Sequence, residues 1–365
     1  MTAIDLGHRR SRSTVGRSLR PRSGLVLATL ALLLVVVAAA ALTVGAAGIP
    51  LDRLPAALLA RGDAMLDPQL ARDQLVLWTI RLPRVLIAAI VGSLLATAGA
   101  LMQGLFRNPL ADPALVGVAS GGALAAASSI VLIDLSLGAS LHFMQDQILP
   151  IAAFVGSLAT TVLLYRIASR EGRTSIALFL LAGIAIAAIA NAGIGVLVFV
   201  ADDRQLRDIT FWMMGSLSGA TWSKAFTTAS VLAVSLLALV RLGRQLDLLV
   251  LGEGEAFHSG VDVERLKMLS ILMVSAMTGV AVSVCGVIGF VGIVVPHLLR
   301  LLIGPSHRLL LPASALLGAV MLVAADTLAR TMVAPAEMPI GILTAAIGAP
   351  FFLGLLLRQR KLVGL

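Results

Sequence analysis

Three sets of side chains have the types and neighbours that could do chemistry. Ser120, Ser216 and Ser218 sit beside glycines, and His297 follows a proline in a glycine-rich segment, which are the residue types of nucleophilic catalysis. A hydroxyl attacks only with a base in hydrogen-bond reach and donors for the oxyanion, and the sequence supplies no such pairing. Small residues that pack helices are the simpler reading. Asp326 lies inside an apolar run and Arg300 near the end of another, as an ion-coupled carrier would require, but a single acid is thin support for one. The lysines Lys224, Lys267 and Lys361 follow Ser, Leu and Arg, so the Gly-Lys pair of a phosphate-binding loop is absent. ATP is not bound by that device, and energy for any work comes from a partner or an ion gradient.

The elements that must position these residues are set by composition. Of 365 residues, 59% are hydrophobic and 13% charged, with a mean hydropathy of +1.00, so lipid is the solvent for most of the chain. Apolar runs fall at roughly 24–48, 84–104, 114–133, 148–167, 176–200, 224–242, 268–288, 293–303, 308–332 and 340–357, about ten spans in all. The expected fold class is an all-α polytopic membrane protein. The first run is too long for a signal peptide and follows Arg9, Arg10, Arg12, Arg17, Arg20 and Arg22, so it reads as a membrane helix with a cytoplasmic arginine-rich flank rather than a twin-arginine leader. Residues 1–23 are then a basic arm, 24–357 one transmembrane domain with a cytoplasmic segment at 241–267, and 358–365 a basic tail.

Alternation from an inside N-terminus places both ends in the cytoplasm, gathers most lysines and arginines on the inner side and leaves a slight acidic excess outside. Membrane topology therefore accounts for the net charge of +9 without nucleic acid. Trp78, Trp212 and Trp222 fall near outer helix ends and Tyr165 near an inner one, as interfacial rings do. The lone Cys285 permits no internal disulfide and reads as a small packing residue. Gly99, Pro109 and Gly117 repeat the spacing of Gly286, Pro296 and Gly304; five helices separate the two sets, which suggests an inverted-topology repeat.

Two polar islands interrupt the apolar pattern. Gln103-Gly-Leu-Phe-Arg-Asn-Pro-Leu-Ala-Asp-Pro113 reads as a capped reversal, with Asn108 and Asp112 able to bond exposed backbone ends. Between Arg241 and Lys267, the stretch Leu251-Gly-Glu-Gly-Glu-Ala-Phe-His-Ser-Gly260 is helix-forming sequence between glycines. Its Ala256 and Phe257, with Val261, read as an apolar face for a docked partner.

The chain resembles the permease family of the ABC importers for ferric siderophores, heme and cobalamin, from about Arg81 to Arg360. The similarity is carried, in order, by Arg81-Leu-Pro-Arg84, Gly99-Ala-Leu-Met-Gln-Gly104, Asn108-Pro-Leu110, the Leu251–Gly260 loop, Gly289-Phe-Val-Gly-Ile-Val-Val-Pro-His297, Pro339-Ile-Gly-Ile-Leu-Thr344 and Gly348-Ala-Pro350. The resemblance implies a homodimer of ten-helix subunits in a bacterial inner membrane, with its pathway on the two-fold axis. Two ATPase subunits that hold ATP and Mg lie below it and a periplasmic binding protein above; the chain itself is a transport subunit with no catalytic residue, metal or cofactor. It further implies that Asn108, Leu110, Thr174 and Ser175 close the cytoplasmic end, and that Gly252, Glu253, Ala256 and Gly260 belong to a segment entering a groove of the ATPase. Arg81, Arg84 and Arg330 fall where the family meets acidic residues of its binding protein.

For the cargo, Phe106-Arg-Asn-Pro-Leu-Ala-Asp-Pro113 and Pro335-Ala-Glu-Met-Pro-Ile-Gly341 are most similar to the heme branch, and siderophore and cobalamin permeases remain the alternatives. Histidine could ligate haem iron from the pathway, but His8, His142, His258, His297 and His307 lie in tails, loops or helix ends, where ordinary hydrogen bonding is the simpler role.

Overall fold

The structure, a computed structural model, describes residues 23–45, 48–59, 67–113, 117–137 and 142–363. The arginines of the N-terminal arm and His8 lie outside the described residues. The chain begins with α1 (Ser23–Thr43), two short helices α2 (Leu54–Leu59) and α3 (Pro68–Val76), and a π-helical turn, Leu77–Arg81, running into α4 (Leu82–Leu105). Next come α5 (Val118–Leu137) and α6 (His142–Ala168), then strands β1 (Ser169–Arg170) and β2 (Arg173–Thr174), then α7 (Ile176–Val200) and α8 (Asp203–Met213). The remainder is α9 (Trp222–Leu249), α10 (Glu253–His258), α11 (Val263–Cys285), α12 (Val291–Ile303), α13 (His307–Met332) and α14 (Ile340–Val363).

Among the described residues, seven helical stretches are long and apolar enough to cross a membrane, and Val118–Leu132, Val291–Ile303 and Ile340–Gly354 are shorter apolar helices. Each falls on an apolar run of the sequence. Hydropathy did not announce α2, α3 or α8, because short polar or amphipathic helices between spans leave no long apolar window. Among the described residues, the only strands form the β1–β2 hairpin, which pairs Ser169 with Thr174 and Arg170 with Arg173. Glu171 and Gly172, at φ 55° and 75°, close it as a two-residue turn whose twist suits antiparallel strands.

Helix starts follow the capping rules. The side chains of Ser175, Thr221 and Asp262 accept backbone N–H groups at the openings of α7, α9 and α11, and Asp202 with Gln205 forms a capping box on α8. α4 is the axis of the bundle, with 20 of its 24 residues buried among α9, α11, α12 and α13. It meets α13 backbone to backbone: a Cβ on Gly92 would sit 2.2 Å from the Gly318 oxygen, and one on Gly318 2.3 Å from the Gly92 oxygen. Lipid gives no hydrophobic drive for helices to associate, so such small-residue contacts and bonds such as Ser93 Oγ to Ala315 O (2.8 Å) hold the bundle.

The glycine–proline spacing does not mark equivalent places. Gly99 lies inside α4 whereas Gly286 caps α11, and Pro109 lies in a loop whereas Pro296 lies inside α12. Only Gly117 and Gly304 share a left-handed backbone, so any internal symmetry is not carried by these three matches.

The bundle has two distinct ends. One gathers the loop after α4, the β1–β2 hairpin and α10; the other gathers α2, α3, α8 and the connections after α11 and α13. This second end is stitched by Ser216 N to Cys285 O (2.9 Å), Ile340 N to Gly215 O (3.1 Å) and Gly341 N to Met214 O (3.0 Å). Trp78 and Trp222 stack there with ring centroids 6.0 Å apart, and the Trp222 indole donates to the Trp78 carbonyl at 2.8 Å.

Candidate functional site

At the α10 end, a buried lysine joins three segments. Lys267, on the first turns of α11, has a side chain only 4% exposed. Its ammonium carries three donors, and all three are used: Glu253 Oε2 on α10 at 2.9 Å, Glu264 Oε1 on α11 at 3.0 Å and the Thr174 carbonyl of β2 at 3.2 Å. Glu264 turns its other oxygen to the Thr174 N–H at 2.9 Å, so one ion pair grips both sides of that residue. The hydroxyls of Ser169 and Thr174 add a bond of 2.9 Å across the hairpin, and Ser175 caps α7 through Leu178 N.

Around this cluster the expected coupling residues divide. Glu253 opens α10 and faces Lys267. Ala256 is fully buried in the chain's own body, and Val261 nearly so, so neither presents an apolar face to a partner. The most exposed apolar groups are Phe257 at 69% and Leu251 at 70%. Gly252 lies just before the helix and Gly260 just after it, Gly260 at φ +84° with open space where a Cβ would point. Alternation of residue types could not tell a face meant for α9 and α11 from one meant for a second protein.

The expected gate residues lie at the same end. Asn108 is exposed and its side-chain oxygen accepts from Leu110 N at 2.9 Å, shaping the turn after α4; Leu110 is half-buried. Phe106, ending α4, packs on Phe179 in the first turn of α7 with centroids 6.3 Å apart, which ties this turn to the segment carrying Thr174 and Ser175. Thr174 is buried rather than open to a pathway. Close by, Asp247 at the end of α9 accepts from Ser306 Oγ, His307 N and His307 Nδ1, capping the start of α13.

The opposite end holds the three arginines, and here the chain uses them internally. Arg84 on α4 forks onto Asp326 of α13 (Nη2 to Oδ1, 2.9 Å) and reaches Glu337 with Nη1 at 2.9 Å. Arg330 approaches Asp326 at 3.6 Å and donates to the Ala41 carbonyl, while Arg81 donates to the Leu42 carbonyl. Arg81 and Arg84 are buried, and the exposed member of the group is Glu337, whose side chain is 47% accessible. The sequence reading placed these residues at helix ends but missed their acid partners, which lie 242 and 253 positions from Arg84.

The other candidate chemistries are not assembled. Asp326 is a shared counter-ion of two arginines, not an isolated intramembrane acid. Among the described residues, no serine reaches His297: Ser216 and Ser218 bond each other at 2.9 Å, and both ring nitrogens of His297 lack a hydrogen-bond partner beside Phe351. Cys285 is free and buried.

Comparison with known proteins gives the same class. A family model, the FecCD transport family, matches residues 32–358. The hemin transport system permease protein HmuU of Yersinia pestis is 49% identical over 282 residues, spanning 77% of this chain and 83% of that protein. The cobalamin import system permease protein BtuC of Halobacterium salinarum is 44% identical over 288 residues, spanning 79% and 74%. A solved structure described as the inward-facing conformation of an ABC transporter of the metal-chelate type superposes with a TM-score of 0.78 at 32% identity, covering 92% of this chain and 99% of that one. With a family model matched over nearly its whole length and relatives of this identity, the chain belongs to the FecCD transport family.

Proposed function

We propose that this transport subunit imports heme across a bacterial inner membrane as a homodimer, driven by two separate ATPase subunits and supplied by a periplasmic binding protein. The observation that carries the proposal is α10: a six-residue helix that projects Phe257 into solvent, just after the exposed Leu251, while Glu253 ties it to a buried lysine. A projecting apolar knob on an anchored helix suits insertion into a groove of a partner. Such an arrangement passes rigid-body motion from one protein to another. The α10 end is then cytoplasmic, in keeping with the basic balance of its loops, and the Asn108–Leu110 turn and the Thr174–Ser175 segment form the gate beside it.

The second copy is assigned to α7 and α14. In the single chain α7 exposes Leu181, Ile184, Ile189, Val196 and Phe199, and α14 exposes Ile347 and Leu353. At the other end, the binding protein is proposed to dock over Arg81, Arg84, Arg330 and Glu337; the exposed carboxylate, held out by Arg84, makes the contact with solvent. Heme is preferred as cargo on the higher identity to the hemin permease, and cobalamin is the second reading, supported by the BtuC relatives.

The test is uptake into proteoliposomes holding the chain with its ATPase and binding protein. ATP-dependent accumulation of hemin but not of cobalamin supports the proposal. Cobalamin uptake alone would move the cargo to the second reading, and transport by the chain without any ATPase would overturn the energy source.

A further inference from the structure

We propose that Lys267 is the positioning residue that transmits movement of α10 to the gate segment at Thr174. The proposal rests on the reading of α10 as the ATPase contact. A buried ammonium is tolerated only while its charge and donors are satisfied, and the partners of Lys267 come from its own helix and from two other elements. Glu253 belongs to α10, Glu264 to α11 and the Thr174 carbonyl to the hairpin that leads into α7. Glu264 also holds the Thr174 amide, so the hairpin is bound at N–H and C=O by the same pair.

A displacement of α10 that withdraws Glu253 leaves Lys267 with one carboxylate and one carbonyl. The lysine must then follow α10 or draw more strongly on Glu264, and either response acts on Thr174. The hairpin is suited to relay this: its two strands are two residues each, and the Ser169 and Thr174 hydroxyls link them, so Ser175 and the α7 N-terminus move with Thr174.

Two variants cut the link on opposite sides. Glu253→Gln removes the charge from the half-exposed side, and Lys267→Met removes all three bonds. In the assembled complex, both are expected to raise the ATP hydrolysed per ligand transported several-fold. Hydrogen exchange on the full chain separates the two cuts. Lys267→Met should speed exchange of the Thr174 amide by about tenfold, because Glu264, whose Oε2 accepts that N–H, loses the ammonium that holds it, while Glu253→Gln leaves the Lys267–Glu264 pair in place and should leave the amide protected. A parental ratio of ATP to transport for Glu253→Gln in an intact complex overturns the proposal, and this variant carries the test if Lys267→Met does not fold. Failure of the underlying reading looks different: Phe257→Asp would then co-purify with the ATPase as well as the parent does.

Discussion

Arg84 illustrates how a charge is kept inside this protein. Its guanidinium is matched in a fork by Asp326 and extended to Glu337, and Arg330 approaches the same aspartate from the following turn of α13. Removing one member of a buried set strands the rest, at a typical cost of ~3–5 kcal/mol. Arg84→Met should therefore lower the thermal unfolding temperature in detergent by several degrees or abolish the folded protein, whereas Glu337→Gln, at the exposed edge, should change it little. Equal stability of both variants would show that the cluster is not a structural ion pair. These pairings could not be read along the chain, because Asp326 lies 242 residues from Arg84. Of the three partners of Lys267, only Glu264, three residues away, is a neighbour in sequence; Thr174 lies 93 positions off.

Among the elements, the spans were legible because each needs a long apolar run, and α4, α7, α9 and α13 fall where those runs lie. What apolarity does not encode is which helix occupies the centre. That is written in small residues, and Gly92 against Gly318 is the clearest case. Gly92→Leu would force α4 and α13 apart at a contact with no room for a Cβ, and the expected outcome is loss of monodisperse protein in size-exclusion chromatography. Gly24→Leu on α1, where nothing lies within 4 Å of an added Cβ, should elute as the parent does. The short α10 has a different sensitivity. Gly260→Leu meets no neighbour, but its backbone conformation costs a non-glycine residue about 1–2 kcal/mol, so the end of α10 should shift. The expected result is an intact membrane fold with impaired ATPase stimulation and uptake, measured in the assembled complex.

For the whole molecule, the exposed apolar faces of α7 and α14 and the turn at Asn108 belong together if two copies surround a pathway. Asn108 is exposed and Leu110 half-buried, as residues completing a seal with a second copy would be in a single chain. Shortening both, as Asn108→Ala with Leu110→Ala, should let small solutes leak from reconstituted vesicles in the closed state. Vesicles as tight as the parent would remove these residues from the gate. A partner's surface is the part of such a site that one sequence describes least, since an apolar helix face bound for lipid and one bound for a second subunit have the same composition.

The fastening of α1 bears on the order in which the protein is made. Ala41 is the one buried residue of that helix, and the carbonyls at its last turn are taken by Arg81 and Arg330. Arg330 lies 289 residues after Ala41. The ribosome therefore releases the first helix long before its final clamp exists, and during elongation α1 must reside in lipid or beside the insertion machinery, joined to the growing bundle through α4 and the π-helical turn that carries Arg81. The last steps of synthesis, which deliver α13, would recruit the first segment into place, making the N-terminal helix one of the latest pieces to settle.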